Sequence, residues 1–480
     1  MPLPDLIEIV PLAKPVRAEI TVPGSKSITN RALILAALAQ GEVTLHGALW
    51  SEDTQVMVEC LHTLGVAVKV VEDPEEPCNR TITVAGLGGV IPPGGSDAKP
   101  LDLFVGNAGT AARFLAPFLC LGSGVYRLHG VPRMHERPQA ALFQALRELG
   151  YRVESENGND KLPARIWGGG NPAAAPVKHC RVSIEESSQF ASALLLSSQV
   201  GGWQIEIVGE NADESPYVVM TSKLLDAFPK TGGAFQIEPD ASSGSYFWAA
   251  GWLVSVTSWM SHFVEETYFK STAMEERFHE VWSQVKTLQS GLLTGNTSVS
   301  VRNWPASGWQ IDADFPQFIP LPEQISREDQ LGDSIMTAVV LAAHLWGGLG
   351  LERREKGIRF TELGRLRLQE CDRVAALNAE LTKCGAKMVE ADDTLTAFQT
   401  KLHGAEIETY NDHRMAMCFA ILGLKVPGIR IKNPACVKKT FPNFFQKLAA
   451  PPPHGLGVEI WEIKAGQRTR KLSGVDLFAD

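Results

Sequence analysis

Six times along the chain, a small or polar cluster opens a long apolar, alanine-rich segment. The first three are Gly24-Ser25-Lys26-Ser27 into Arg31–Leu38, Gly106-Asn107-Ala108-Gly109-Thr110 into Ala111–Leu121, and Glu186-Ser187-Ser188-Gln189 into Phe190–Leu196. The second three are Asp240-Ala241-Ser242-Ser243 into Tyr246–Val254, Gly332-Asp333-Ser334 into Ile335–Leu345, and Asn411-Asp412-His413-Arg414 into Met415–Leu424. Ser, Thr, Asp and Asn ahead of an apolar run predict helix starts, because their side chains can accept from the first free N–H groups. A second, more amphipathic helical segment follows each cluster, beginning near Asp53, Arg137, Ser215, Met274, Glu370 and Thr440. Leu64-Gly65, Leu149-Gly150 and Cys384-Gly385 predict glycine helix stops. Short β-like stretches such as Val43-Thr44-Leu45 and Trp203–Ile207 lie between the helices. Each unit therefore reads strand–helix–strand–helix–strand, and six units predict two α/β domains of three units each. The expected boundary lies within Phe228–Pro239.

Composition narrows what such a chain can do. The 480 residues are 44% apolar, enough for large cores. Lys and Arg total 45 against 54 Asp and Glu, a net charge of −9. That balance argues against nucleic acid or an anionic membrane as a partner bound through bulk charge, but leaves room for a small anion met by a few local cations. The eight cysteines form no C-x-x-C pair and mostly fall in apolar runs, as expected for buried thiols in a reducing cytoplasm. The first twenty residues carry no basic segment leading into an apolar one, so no signal peptide is read there. No uncharged apolar run reaches 18 residues, so no membrane span is expected.

Charge enters again at the helix starts. Lys26, Arg31, Arg113 and Arg414 sit at or just inside the first turns of apolar helices. A helix N-terminus already favours anions, so an added cation there does not help the helix. A ligand with several negative groups accounts for the pattern.

In order along residues 20–450, further motifs join these clusters: Pro132-Arg133-Met134 with Glu136-Arg137-Pro138, Ser187-Ser188-Gln189-Phe190, Glu370-Cys371-Asp372-Arg373, Asn411–Met417 and Lys439-Thr440-Phe441-Pro442. Together they resemble the EPSP synthase family of enolpyruvyl transferases. The resemblance implies two inside-out α/β domains, closing on substrates at the hinge, with the N-terminal strand joining the second domain. The first domain would span 21–238, the second 1–20 with 239–450, and 451–480 would form a tail. The implied reaction moves the enolpyruvyl group of phosphoenolpyruvate to the 5-hydroxyl of shikimate 3-phosphate and releases phosphate, without metal or organic cofactor. These two small molecules would be its partners, and the protein would act as a cytoplasmic monomer.

Carried over motif by motif, Lys26 would touch both substrates. Ser27, Arg31, Ser187, Ser188, Tyr217 and Gln369 would hold shikimate 3-phosphate. Gly109 would offer backbone N–H groups to phosphoenolpyruvate, with Arg137, Gln189, Arg373, Arg414 and Lys439 clamping its phosphate and carboxylate. Asp333 would accept the hydroxyl proton, and Glu370 would be the partner acid. His413 reads equally well as a donor to substrate or as a packed side chain.

Three departures stand out. Where the family pattern reads Asn-x-Arg-x-Lys-Glu, this chain reads Arg365-Leu366-Arg367-Leu368-Gln369-Glu370, so a glutamine replaces a lysine that contacts shikimate 3-phosphate. Arg365 or Arg367 is expected to restore the charge. Glu214, ahead of Ser215-Pro216-Tyr217, stands where the family has a serine near the substrate phosphate. Phe114 replaces the proline that follows Arg113's counterpart, which predicts a shifted helix start and an altered response to glyphosate, measurable as an inhibition constant unlike that of sensitive enzymes. Residues 255–330 are long and irregular for the family, and the segment after 450 reads as an added strand or a loose tail. The nearest alternative is UDP-N-acetylglucosamine enolpyruvyl transferase, but Val131–Glu136 lacks that family's cysteine. A non-catalytic binder of phosphorylated metabolites is the alternative of a different class, favoured by Gln369 and Glu214.

Overall fold

The alanine-rich segments become central helices because they are apolar on all sides, and such helices are stable only when surrounded by protein. The computed structural model describes residues 3–170, 177–209, 215–268, 299–344 and 356–479. The chain forms two units, one of Pro23–Asp240 with Pro305–Gln310, the other of Met1–Val22, Ala241–Trp304 and Ile311–Asp480.

The first unit carries helices α1 (Lys26–Leu38), α2 (Glu52–Thr63), α3 (Gly109–Cys120), α4 (Pro132–Glu136), α5 (Ala140–Glu148), α6 (Gln189–Gly201) and α7 (Pro216–Ala227). Every residue of α3 and all of α1 from Ile28 onward are buried. α1, α3 and α6 pack on one another in a single apolar core. Sheets lie around them, one running Gly233–Gln236, Glu42–Leu49, Asn79–Ala85, Val68–Glu72 and another Leu101–Phe104, Ser123–His129, Ala164–Gly169, Arg152–Ser155. In both, the first pair is parallel and the others are antiparallel. The unit's last strand, Gly233–Gln236, returns to lie parallel beside its first long strand. Lys178–Ser183 and Trp203–Val208 form a third, parallel pair. In the second and fifth units the five elements read from periodicity are followed by one further strand, Ala164–Gly169 and Thr394–Phe398.

The second unit repeats the plan with α8 (Ala241–Tyr268), α9 (Ile335–His344), α10 (Arg373–Lys383), α11 (His413–Gly423) and α12 (Phe444–Ala449). α8, α9 and α11 are its central helices, and Ile335–Ala343 is wholly buried. One sheet runs Gln324–Ser326, Ile358–Thr361, Thr394–Phe398, Lys387–Ala391, with the same parallel-then-antiparallel order. Leu6–Ile9 is the middle strand of a five-stranded sheet, between Arg430–Lys432 and Ile460–Lys464. The segment after residue 450 supplies two of those strands, Ile460–Lys464 and Gln467–Leu472, as a hairpin. The predicted second helix near Met274 lies outside the described residues.

Glycine stops appear where the sequence places them: Gly65, Gly150 and Gly385 adopt φ of +83°, +82° and +89°, a region that side-chain-bearing residues rarely adopt. Side-chain capping departs from expectation. Ser25, Ala108 and Ser188 precede α1, α3 and α6 without a side-chain capping bond. Asp412 and Asp372 do cap, accepting from Arg414 N at 2.8 Å and Ala375 N at 3.0 Å. The backbone N–H of Ser334, just ahead of α9, donates to Asp312 Oδ1 at 2.6 Å, a partner that composition alone does not reveal.

Candidate active site

In the first unit, the turn into α1 is built by close backbone approach. Gly24 N donates to Asn79 Oδ1 at 2.8 Å, and a Cβ on Gly24 would lie 1.9 Å from Gly47 O. Lys26 follows, with Nζ 3.1 Å from Asp53 Oδ2 on α2. Ser27 is half-buried beside it. Arg31, one turn further, is 1% exposed and points inward. Its Nε donates to Thr221 Oγ1 at 2.8 Å, its Nη1 to Ser27 O at 2.9 Å and its Nη2 to Ser192 Oγ at 3.0 Å. Burial lowers its pKa to about 10. Arg31 here braces α1 against α6 and α7, with its N–H groups directed at protein acceptors. Phe114 lies under its guanidinium, 5.1 Å from ring centre to Cζ.

Gly109 begins α3 at the position the sequence indicates, even with Phe114 in place of proline. A Cβ on Gly109 would sit 2.7 Å from Arg137 Nη2, so only glycine lets that guanidinium lie against the turn. Arg137 Nη1 donates to Asn107 O at 3.3 Å. Arg113 donates to Gln189 Oε1 at 2.7 Å, tying the start of α3 to the start of α6. Ser187 Oγ accepts from Gln189 N at 3.3 Å, Ser188 is buried, and the Tyr217 carbonyl accepts from Ser192 and Thr221. Glu214 lies outside the described residues.

The second unit concentrates opposite charges around α9, α10 and α11. Asp333 Oδ1 accepts from Arg327 Nη2 at 2.9 Å, while Oδ2 lies 3.2 Å from Arg414 Nη2 and 3.5 Å from Arg373 Nη1. Burial would raise the Asp333 pKa, but the charges of Arg414, Arg327 and Arg373 overcome it and hold the carboxyl well below its usual range. Glu370 is shared between Arg373 Nη2 at 2.7 Å and Lys439 Nζ at 2.8 Å. Arg373, 1% exposed, also places Nε 2.7 Å from Asp412 Oδ2. Its Nη1 donates to Gln369 Oε1, and Arg414 Nη1 donates to Ser242 Oγ. His413 is buried, with Nδ1 3.7 Å from Asp412 Oδ1.

Two groups here were not legible in the sequence. Arg327 stands six residues before Asp333, a spacing that does not share a helix face, in a stretch read as irregular. Asp312 is buried near Asp333, and burial with that neighbouring charge raises its pKa to about 7 against the opposing effect of Arg414 and the Ser334 N–H. The arginines expected to replace the missing lysine are engaged elsewhere. Arg367 meets Asp372 at 3.1 Å and Glu390 at 2.6 Å, and Arg365 lies 3.5 Å from Glu328. All eight cysteines are free, and all but Cys371 are buried. Among the described residues no helix is long and apolar enough to cross a membrane.

An α/β unit repeated around central helices, with carboxylates and guanidiniums gathered at the helix starts, defines an enolpyruvyl-transferase type of protein, and comparison with known proteins agrees. The family profile described as EPSP synthase (3-phosphoshikimate 1-carboxyvinyltransferase) matches residues 11–258 and 329–448. The 3-phosphoshikimate 1-carboxyvinyltransferase of Trichormus variabilis is 35% identical over 471 residues, covering 92% of this chain and 98% of that protein. The protein of the same name from Opitutus terrae is 35% identical over 485 residues, covering 94% and 98%. Among solved structures, EPSP synthase from Acinetobacter baumannii superposes with a TM-score of 0.61 at 20% identity, covering 95% of this chain and 99% of that one. The enolpyruvyl transferase NikO from Streptomyces tendae gives 0.59 at 14% identity, covering 96% and 99%. The chain belongs to the EPSP synthase family.

Proposed function

We propose that this protein transfers the enolpyruvyl group of phosphoenolpyruvate to the 5-hydroxyl of shikimate 3-phosphate, giving 5-enolpyruvylshikimate 3-phosphate and phosphate, as a monomer in the cytoplasm. The observation that carries the reading is the pair of carboxylates in the second unit, Asp333 and Glu370, bridged by one buried arginine. The reaction moves protons twice. Addition takes the proton from the 5-hydroxyl and places one on the methylene carbon as the new C–O bond forms. Elimination removes a methyl proton and breaks the bond to phosphate. Asp333 serves as acceptor of the hydroxyl proton, and Glu370 with Lys26 handles the carbon-bound proton. Arg137, Gln189, Arg373, Arg414 and Lys439, with the N–H groups at Gly109, meet the charges of phosphoenolpyruvate. Ser27, Ser187, Ser188, Tyr217 and Gln369 meet shikimate 3-phosphate, and Arg31 orients Ser27 and Tyr217 through their carbonyl oxygens. Phosphate release on mixing the protein with both substrates tests the reading. Tight binding without release would instead support a binder.

Two substitutions probe individual parts. Gly109→Ala would drive a methyl group into the Arg137 guanidinium, and the expected result is a KM for phosphoenolpyruvate raised roughly tenfold, the equivalent of about 1.4 kcal/mol, with the KM for shikimate 3-phosphate little changed. Steady-state kinetics in each substrate separates the two. Gln369→Lys would set an ammonium against Arg373 Nη1, which Gln369 Oε1 now accepts from. No gain in kcat/KM for shikimate 3-phosphate is expected, and a large gain would show that the lysine's charge is missed.

A further inference from the structure

Arg327 reaches Asp333 through a specific turn. The strand Gln324–Ser326 ends in a π-helical turn, Arg327–Leu331. Ser326 pins that turn from three directions: its N donates to Gln330 Oε1 at 2.7 Å, its Oγ accepts from Asp329 N at 3.0 Å, and its Oγ also bonds Glu362. Gly332, at φ +51°, donates its N–H to Arg327 O and reverses the chain, so that Asp333 faces back onto Arg327. The Arg327 side chain is 7% exposed. Its Nε is buried with no hydrogen-bond partner among the described residues. It lies between the two segments matched by the family profile, two residues before the second.

The two oxygens of Asp333 are served differently. Oδ1 belongs to Arg327, and Oδ2 to Arg373 and Arg414. Under the proposed function, on which this inference rests, Arg373 and Arg414 turn toward the substrate's anionic groups. Arg327, held by its own turn, stays. We propose that Arg327 is a positioning residue for Asp333: it fixes Oδ1 and keeps the carboxylate ionised and aimed while Oδ2 receives the hydroxyl proton.

The other charged groups facing this pair are known. Asp312 approaches Asp333 from the Ile311–Phe318 segment, Arg373 from α10 and Arg414 from α11. Arg373 is itself shared with Glu370 and Asp412, and Glu370 with Lys439. On Arg327's own turn, Glu328 pairs with Arg365, and Asp329 bonds Ser326 Oγ through its backbone N–H. Arg327 is the cation on Oδ1 among the described residues.

The test is the pH dependence of kcat at saturating concentrations of both substrates for the parent, Arg327→Gln and Arg327→Lys, with a thermal melt of each. Profiles of kcat report groups in the bound complex, and the substrates' own ionisations are common to all three proteins. An opposite charge at this distance lowers a carboxyl pKa by roughly 1–3 units. Arg327→Gln is therefore expected to move the acid limb of kcat upward by about one unit, and to lower the plateau roughly tenfold through lost orientation, with the KM for phosphoenolpyruvate within about twofold. Arg327→Lys should keep the limb near its parent position while the plateau stays reduced, because a point charge preserves the field but not the fixed bond. An Arg327→Gln protein with the parent's limb and plateau overturns the proposal. So does one whose only change is a lower melting temperature with an unaltered profile. A parent that releases no phosphate overturns the functional reading itself, a result separate from an active parent with an indifferent Arg327.

Discussion

Replacing Asp333 by Asn is expected to lower kcat by about 10²–10⁴-fold, the usual contribution of a positioned proton acceptor. An amide cannot take the hydroxyl proton, although it fits the same space. The same change should register in stability, with a sign fixed by the charges around it. The folded-state pKa of Asp333 is depressed below the ordinary 3.8 because three guanidiniums outweigh its burial. A depressed acid stabilises the fold above its unfolded pKa, and that contribution fades as pH falls toward the folded value. The gap between parent and Asp333→Asn should therefore be widest near pH 7, at about 3–5 kcal/mol for a broken buried pair, and should narrow as pH drops below about 4. Chemical denaturation at several pH values reads this. A variant with undiminished kcat would remove Asp333 from the role of acceptor. A gap that widened in acid would contradict the charge assignment.

Arg373→Ala is the second large effect. One guanidinium, 1% exposed, meets Asp333, Glu370 and Asp412 at 3.5, 2.7 and 2.7 Å. Removing it leaves carboxylates crowded in a poorly solvated place, and a broken buried pair costs about 3–5 kcal/mol. The loss should appear as a lower denaturant midpoint for the second unit. Arg373→Lys should recover only part of it, because an ammonium cannot fork to carboxylates on separate helices. Both variants should also bind phosphoenolpyruvate more weakly, since the proposed clamp loses its bidentate member. An Arg373→Ala protein within 1 kcal/mol of the parent would mean that neighbouring lysine and arginine side chains neutralise the carboxylates without it.

These expectations differ in how much of them was visible in the chain. Lys26, Gly109, Arg137, Arg373, Arg414 and Lys439 stand out from the sequence because they sit in short motifs, four of them at helix starts and Arg137 and Lys439 at helix ends. Their functional partners did not stand out. Gly109 is tied to glycine by a guanidinium 28 positions along the chain, and no property of its own turn reveals that. Arg31 looks like a ligand-facing cation at an N-terminus, yet its side chain turns inward to Thr221 and Ser192. Arg365 and Arg367 look like replacements for a missing lysine, yet nearer carboxylates hold them.

The sequence by itself determined the central helices, the glycine stops and the recurrence of the unit, apart from the fourth unit's second helix, which lies outside the described residues. Those features depend on periodicity and on backbone preferences that act within a few residues. Tertiary structure decided which charges meet. Arg327 and Asp333 are joined by a π-turn and one left-handed glycine, and Asp312 joins them from a separate segment. Pairing energy depends on separation and burial, and both are set by how distant segments pack. The net charge of −9 argued against polyanionic macromolecules as bulk partners. Only the folded arrangement showed that Lys26, Arg373 and Arg414 meet buried carboxylates, whereas Arg31 and Arg113 meet neutral acceptors.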